Sequence, residues 1–328
     1  MAEVLVTVPR AIEYGADGPL GALYRDGHTV RHVRANAQTP ASALIAALAG
    51  ASAVVAIIEP YTKEVFDGAP LLRHIARVGV GYDAVDVAEA TKHGVLVTNT
   101  PGANSTAVAD FAMGMLLAVA RWIPTFDRDL RQGIWQSKLG ADVWQQTLGI
   151  VGLGNIGRGV ARRARGFDMR ILACEPYPDM AFVREHGIEL VSLEQVFSDS
   201  DFVTLHLPAS AETAHMVNAR LLGLMKPTAY LINTARGALV DEDALYEVLS
   251  TNRIAGAALD VREIEPPRDA RFHELANVVL APHAAGSTPR AVHAAIRDAA
   301  NAAATYLRGE RPPGVINPEV LARELQRA

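Results

Sequence analysis

Thr147–Glu175, reading TLGIVGLGNIGRGVARRARGFDMRILACE, constrains this chain more than any other stretch. It opens with an apolar run, Leu148 to Leu153, whose β-branched residues suit a strand buried on both faces. Gly152, Gly154 and Gly157 follow at the G-x-G-x-x-G spacing. A helical pattern comes next, with Ile156, Val160, Ala161 and Ala164 on one side and Arg158, Arg162, Arg163 and Arg165 on the other. A second apolar run, Met169 to Cys174, ends in Glu175. Each part has a physical role in binding a dinucleotide. Gly152 permits the tight turn, Gly154 lets the backbone approach a pyrophosphate, and Gly157 lets helix and strand pack closely. The exposed amides of the helix N-terminus hold the diphosphate, and Glu175 accepts hydrogen bonds from the ribose hydroxyls. With 26 glycines in 328 residues, roughly 0.16 such glycine triplets arise by chance in a chain like this. The glycines alone are therefore weak evidence. The ordered series of strand, glycines, amphipathic helix, strand and acid is what makes the motif specific.

The length suits two domains of ordinary size. Half the residues are hydrophobic and a fifth charged, as in ordinary globular proteins. A net charge of −5 without a basic run argues against nucleic-acid binding. The single cysteine, Cys174, leaves no internal disulfide or cysteine-based zinc site, and no metal site is expected. The N-terminus has an acid at Glu3 and too short an apolar run for a signal peptide. Ala35 to Ile58 is free of charge, but Pro40, Gly50 and several polar residues break it short of the ~20 residues a membrane span needs. A helix near Ala41–Ala49 and a buried strand are expected there. No membrane segment is expected, and the expected location is the cytoplasm.

Strand-like runs at Val4–Val8, Val54–Ile58, His74–Val80 and Val95–Thr98 alternate with helical patterns, as in a parallel sheet covered by helices. Asn99-Thr100-Pro101-Gly102 breaks the pattern. A long Ala- and Met-rich helix capped by Ser105 or Thr106 follows, apolar nearly all round and so expected to be buried. After the glycine motif, strands recur at Phe202–Leu207, Ala229–Thr234, Ala255–Asp260 and Val278–Ala281. The last long helix, Pro289 to Leu307, is expected to return to the first domain. The fold class is thus α/β, with two Rossmann- or flavodoxin-like parallel-sheet domains. Residues 1–100 with 288–328 form a discontinuous substrate domain, and 101–287 form the inserted dinucleotide domain.

Ligands of open parallel sheets bind beyond the carboxyl ends of the strands. The residues to inspect are therefore His206-Leu207-Pro208, Thr234-Ala235-Arg236, Asp260 to Glu265, and His283 to Gly286. A nicotinamide dehydrogenase of hydroxy acids needs a cation for the carboxylate, an acid–base for the hydroxyl proton, and a group that tunes that base. Arg236 suits the first role because guanidinium pairs with carboxylate in a fixed fork. His283 suits the second. Glu265 suits the third, since a carboxylate stabilises imidazolium and orients the ring. Nothing in their spacing alone brings the three together.

RVGVGYDAVD (77–86), NTPGANSTAVADF (99–111), GIVGLGNIG (149–157), INTARGALVDEDAL (232–245), AALDVREIEPP (257–267) and LAPHAAGST (280–288) occur in this order. Through them the chain resembles the D-isomer-specific 2-hydroxyacid dehydrogenases over nearly its whole length, with closest similarity to the phosphoglycerate dehydrogenase branch. The resemblance implies an Arg–Glu–His catalytic set at Arg236, Glu265 and His283. It implies NAD as cofactor, with contacts at Asn155, Ile156, Glu175, Leu207, Ala235, Asp260 and the loop from His283 through Ala285 to Gly286. The motif glycines, His206, Pro208 and Thr234 belong to the same candidate site. Val80 and Gly81 match positions that contact substrate or nicotinamide, and Arg236 and His283 contact both substrate and cofactor.

Departures bear on the substrate. Glu59-Pro60 stands where phosphoglycerate dehydrogenases carry an Arg-Ser pair for the phosphorylated substrate, and an acid there repels a phosphate. Asp110 stands where the family often has Glu. No C-terminal serine-sensing domain is expected after the last long helix. The resulting expectation is an NAD-dependent (R)-2-hydroxyacid dehydrogenase, or 2-oxoacid reductase, acting on a small acid. The alternatives are 3-phosphoglycerate dehydrogenase, glyoxylate/hydroxypyruvate reductase or, outside enzymes, an NAD-sensing scaffold like the corepressors of this fold. A homodimer through the cofactor domain is expected, with the Ala107–Ala120 helix in its interface. Glu175 precedes Pro-Tyr-Pro-Asp with no Arg or Lys beside it in sequence, so NAD is expected over NADP.

Overall fold

The computed structural model describes residues 1–8 and 17–325. The chain divides into two compact units, one of Met1–Asn104 with Thr288–Ala328 and one of Ser105–Ser287.

The first unit is built on a five-stranded parallel sheet: β1 (Glu3–Val6), β2 (Thr29–His32), β3 (Ala53–Ala56), β4 (His74–Arg77) and β5 (Leu96–Thr98). The strand order is β2-β1-β3-β4-β5, a doubly wound arrangement. The inner strands are apolar because helices cover both faces. Val4, Val6, Ala53 and Val55 pack toward Ile296, Ala299, Ala300 and Ala303 of the returning helix Pro289–Leu307. Leu5, Val54, Ile75 and Val97 face Leu44, Leu48, Val65 and Phe66 on the other side. Alanine along the long helix lets its backbone lie close to the sheet, and Thr288 caps it by accepting from the Ala291 N–H.

The second unit carries a seven-stranded parallel sheet: β6 (Thr147–Val151), β7 (Arg170–Cys174), β8 (Glu189–Leu190), β9 (Phe202–Leu205), β10 (Tyr230–Asn233), β11 (Gly256–Leu259) and β12 (Val278–Leu280). The order β12-β11-β10-β9-β6-β7-β8 reverses direction at β6. This is the switch point at which a doubly wound sheet opens a crevice for ligand. The helix Ser105–Ala120 packs on the glycine-motif helix Asn155–Ala164 and against β10 and β11. Ala109, Ala112, Met113, Leu116 and Val119 supply its buried side.

Several expectations change here. β1, β3, β4 and β9 end two or three residues before their apolar runs do, because residues such as Ile57, Val78 and Leu207 belong to the loops that leave the sheet. β2 and β8 were not anticipated. Both lie at a sheet edge, β2 with no fully buried residue and β8 with two exposed residues, so neither has a hydrophobic signature. Ser105 begins its helix and does not cap it. Most of that helix's apolar residues are buried, while Phe111 and Leu117 stay partly exposed. A run of exposed apolar groups lies just after it, at Ile123, Leu130, Ile134, Trp135, Leu139 and Trp144. Cys174 is a free, half-buried thiol whose pKa is raised chiefly by burial. Among the described residues no single helix is long and apolar enough to cross a membrane, and no cluster of metal-ligating side chains occurs.

Candidate active site

The glycine loop connects β6 to the helix Asn155–Ala164. Gly152 has φ +93°, and a Cβ there would stand 2.6 Å from the His206 carbonyl oxygen. A Cβ on Gly157 would meet the Gly152 carbonyl oxygen at 2.1 Å. Both positions need glycine, one for its φ and both for close backbone packing. Gly154 differs, because nothing lies within 4 Å of where its Cβ would stand. It borders open space, with Asn155 and Ile156 forming the first helical turn behind it. This is room for a diphosphate to approach amides that carry the positive end of the helix dipole.

Glu175, just beyond β7, is tied back to the glycine loop. Its Oε2 accepts from the Leu153 N–H at 2.8 Å and its Oε1 from the Tyr177 N–H at 3.0 Å. The carboxylate is thereby aimed, with lone pairs left for ribose hydroxyls. Arg158, three residues into the helix, pairs with Asp179 at 3.0 Å. The fold thus delivers an arginine to the loop after Glu175, contrary to the sequence-based expectation that none is near.

The neighbouring strand ends supply the rest of the set. His206 and Leu207 follow β9 at half-buried positions, and Pro208 is exposed. Burial pushes the His206 imidazole down to about 3, so it is neutral at working pH. Its Nε2 bonds the Thr204 hydroxyl at 2.9 Å. The buried Nδ1 of His206 and the Thr234 Oγ1 beyond β10 have no hydrogen-bond partner. Two buried polar atoms without partners at adjacent strand ends, beside an open glycine loop, fit a polar ligand that completes them. The residues present therefore suit a dinucleotide.

The turn after β10 is shaped by Asn233, which sequence reading passed over. Its side chain accepts from the Ala235 N–H at 3.0 Å and donates to the Arg236 carbonyl at 2.8 Å. This local bonding bends the chain so that Ala235 is buried and the Arg236 side chain is partly exposed. Gly237 then lies against the next loop, where a Cβ would stand 1.9 Å from the Arg262 carbonyl carbon.

Arg262 is almost fully buried, forked onto the Glu242 carboxylate at 2.8 and 2.9 Å and stacked over the Phe272 ring at 4.4 Å. Its backbone N–H donates to Glu265 Oε1 at 3.0 Å. Glu265 Oε2 lies 2.7 Å from His283 Nδ1. His283 itself has φ +53°, a left-handed conformation uncommon outside glycine, asparagine and aspartate. Its N–H donates to the Asp260 carbonyl at 2.7 Å. The Asp260 carboxylate, 1% exposed, accepts from the Ala284 and Ala285 N–H groups at 2.7 and 2.9 Å. Asp260 thus anchors the His283–Gly286 loop from within, an arrangement its position in the sequence did not reveal.

Charge within this cluster is consistent with acid–base work. The hydrogen bond from Glu265 is the largest influence on His283 and raises its pKa, against desolvation and the repulsion of Arg236. Burial works to raise the Glu265 pKa. The bonds from His283 and from the Arg262 N–H, with the charges of His283 and Arg236, outweigh burial and hold it below its ordinary value. Arg236, Glu265 and His283, scattered over 48 residues of sequence, are therefore in electrostatic reach of one another inside the second unit.

Val80 and Gly81 lie in the first unit, beyond β4. The Asn99 side chain donates to the Val80 carbonyl at 2.7 Å, and Thr100 Oγ1 accepts from the Gly79 N–H at 2.8 Å. Glu59 is 1% exposed and faces inward. Its oxygens accept from the Thr7 and Tyr61 hydroxyls at 2.6 and 2.9 Å and from the Ile57 and Ile58 N–H groups at 3.1 Å. The expectation that Glu59 confronts and repels a ligand is corrected, because its carboxylate is spent on its own loop. Asp110 is also explained: it pairs with Arg163 at 2.6 Å and helps fasten the Ser105–Ala120 helix to the glycine-motif helix.

Comparison with known proteins agrees with this geometry. Residues 113–285 match the family described as D-isomer specific 2-hydroxyacid dehydrogenase, NAD binding domain. A glyoxylate reductase of Korarchaeum cryptofilum is 47% identical over 81% of this chain and 82% of its own. A D-3-phosphoglycerate dehydrogenase of Synechocystis is 42% identical over 70% of this chain and 42% of its own. Among solved structures, the NADPH-dependent glyoxylate/hydroxypyruvate reductase of Sinorhizobium meliloti, in complex with citrate, superposes with a TM-score of 0.83. It is 29% identical, over 98% of this chain and 99% of that one. A half-exposed histidine backed by a carboxylate, an arginine in reach of both, and a glycine loop open to a dinucleotide are what such a reductase requires; the chain belongs to the D-isomer specific 2-hydroxyacid dehydrogenase family of nicotinamide-dependent oxidoreductases.

Proposed function

We propose that this enzyme reduces glyoxylate and similarly small 2-oxoacids, with NADH as the preferred reductant. The observation that carries the chemistry is the 2.7 Å bond between His283 and Glu265. In this reading Met1–Asn104 with Thr288–Ala328 is the substrate domain, and Ser105–Ser287 holds the cofactor.

The bound cofactor supplies a hydride to C2 of the oxoacid. Arg236 holds the substrate carboxylate in its fork and adds positive charge beside the carbonyl. His283 Nε2 gives its proton to the carbonyl oxygen, and in the oxidative direction takes it back from the hydroxyl. Glu265 bonds Nδ1, keeps the imidazolium favoured and fixes the ring. Positioned proton transfer of this sort contributes about 10²–10⁴ in rate. Glu175 receives the ribose hydroxyls.

Glyoxylate is preferred because the relatives aligned over most of their length carry that name. In addition, Glu59-Pro60 brings no cation to the place where phosphorylated substrates need one. The test is a panel of glyoxylate, hydroxypyruvate, pyruvate, branched oxoacids and phosphohydroxypyruvate, followed by loss of reduced-nicotinamide absorbance. Glyoxylate or hydroxypyruvate is expected to give the highest kcat/KM. A higher value for phosphohydroxypyruvate overturns the proposal.

The proposal includes a homodimer. Its support is the segment after the Ser105–Ala120 helix, where Trp135 is 89% and Leu139 99% exposed, in line with apolar area awaiting a partner. Sedimentation equilibrium of the intact protein and of a Trp135→Ser, Leu139→Ser variant tests it, with the variant expected to dissociate.

A further inference from the structure

The adenosine side of the cofactor site carries a second acid beside Glu175. Asp179 does two jobs with separate oxygens. Its Oδ1 caps the helix Met180–His186, accepting from the Ala181 and Phe182 N–H groups at 3.1 and 3.2 Å. Its Oδ2 takes the Arg158 guanidinium at 3.0 Å. Arg158 also donates to the Asn155 side-chain oxygen at 3.3 Å and lies 5.8 Å from the Phe182 ring centre. The guanidinium is thus held between the helix that faces the diphosphate and the loop that follows Glu175. It is partly exposed, with 30% of its side-chain surface accessible.

The 2′-phosphate that distinguishes NADPH projects from the ribose that Glu175 receives, and proteins that accept it place an arginine there. This chain has such an arginine within the same loop–helix junction, already neutralised by Asp179. Glu175, Asp179 and Arg158 together carry one net negative charge. Resting on the NADH-first reading above, we propose that Asp179 is a cofactor-specificity residue: it withholds Arg158 from the 2′-phosphate and adds its own repulsion. Discrimination against NADPH then has two acidic components. Glu175 acts directly on the ribose, and Asp179 acts through the cation it occupies.

Asp179→Asn separates the roles, because asparagine caps a helix about as well as aspartate while the charge that binds Arg158 is lost. Dissociation constants for NADH and NADPH are measured by fluorescence titration on the full chain, without substrate. Asp179→Asn is expected to tighten NADPH about tenfold, the size of one charge-assisted hydrogen bond gained, and to leave NADH within about twofold. Adding Arg158→Gln to Asp179→Asn is expected to cancel the gain. Equal changes for both cofactors, or a gain that persists without Arg158, overturn the proposal. Wild-type protein that already binds NADPH as tightly as NADH shows instead that the underlying NADH preference has failed. Melting temperatures of the variants near wild type show that the helix cap survives.

Discussion

Glu265 and Glu59 stand at comparable places in the two units, each beyond the carboxyl end of a parallel strand, and the fold uses them in opposite ways. Glu59 is sealed, with two hydroxyls and two backbone amides closing its oxygens and 1% of the residue accessible. Glu265 receives one backbone amide and turns its other oxygen to His283, with 38% of its side chain accessible. A carboxylate enclosed by donors that cannot titrate near neutrality organises a loop. One that shares a proton-binding partner open to solvent can move charge. Residue type does not separate these cases; the partners do.

Four substitutions probe the contrast. His283→Ala is expected to have the largest effect, lowering kcat by about 10²–10⁴ while the variant still binds cofactor in a fluorescence titration. Near wild-type turnover would remove His283 from the acid–base role.

Glu59→Ala should act on stability instead. It leaves the Thr7 and Tyr61 hydroxyls and two amides without their acceptor, and it is expected to cost about 3 kcal/mol in chemical denaturation. A loss below about 1 kcal/mol would mean that the loop satisfies its donors another way.

Glu265→Gln should fall between a loss of catalysis and a change of conditions, and pH is the diagnostic. Reduction needs His283 protonated, so its rate falls as pH rises through the imidazole pKa, which Glu265 raises above the ordinary value of about 6.5. Removing that charge lowers the pKa and moves the decline to lower pH. In the oxidative direction, which needs neutral His283, the rise moves to lower pH as well. An unmoved profile would show that Glu265 does not tune the histidine.

Asp110→Ala marks the small end of the series. Its carboxylate has 65% of its surface exposed, and such pairs contribute about 0.5 kcal/mol. A larger shift in denaturation midpoint would give the helix pairing more weight than an exposed ion pair warrants.

Much of the site was legible because its pieces are local. The glycine spacing, the apolar run ahead of it and the terminal Glu175 occupy one continuous stretch, and each obeys a rule of backbone geometry. Arg236 and His283 were legible as residues that follow strands. What joins them was not. Gly237 looks like any turn glycine until the Arg262 backbone is found against it. Asp260 was read as a ligand contact, and nothing near it in sequence showed that both its oxygens hold the loop of His283. Glu59 was read as repelling a phosphate, whereas its carboxylate is closed by its neighbours Ile57, Ile58 and Tyr61 and by Thr7, which lies far away in sequence.

The sequence by itself therefore determined the α/β class, the dinucleotide loop and the candidate side chains for the chemistry. These follow from periodicity, glycine stereochemistry and functional-group chemistry within short windows. Tertiary structure alone decided that Glu59 is sealed while Glu265 meets His283, that Arg158 reaches Asp179, and that most of the apolar side of the Ser105–Ala120 helix is buried. Each of those outcomes depends on burial and on contacts between residues distant in the chain, and no local pattern encodes them.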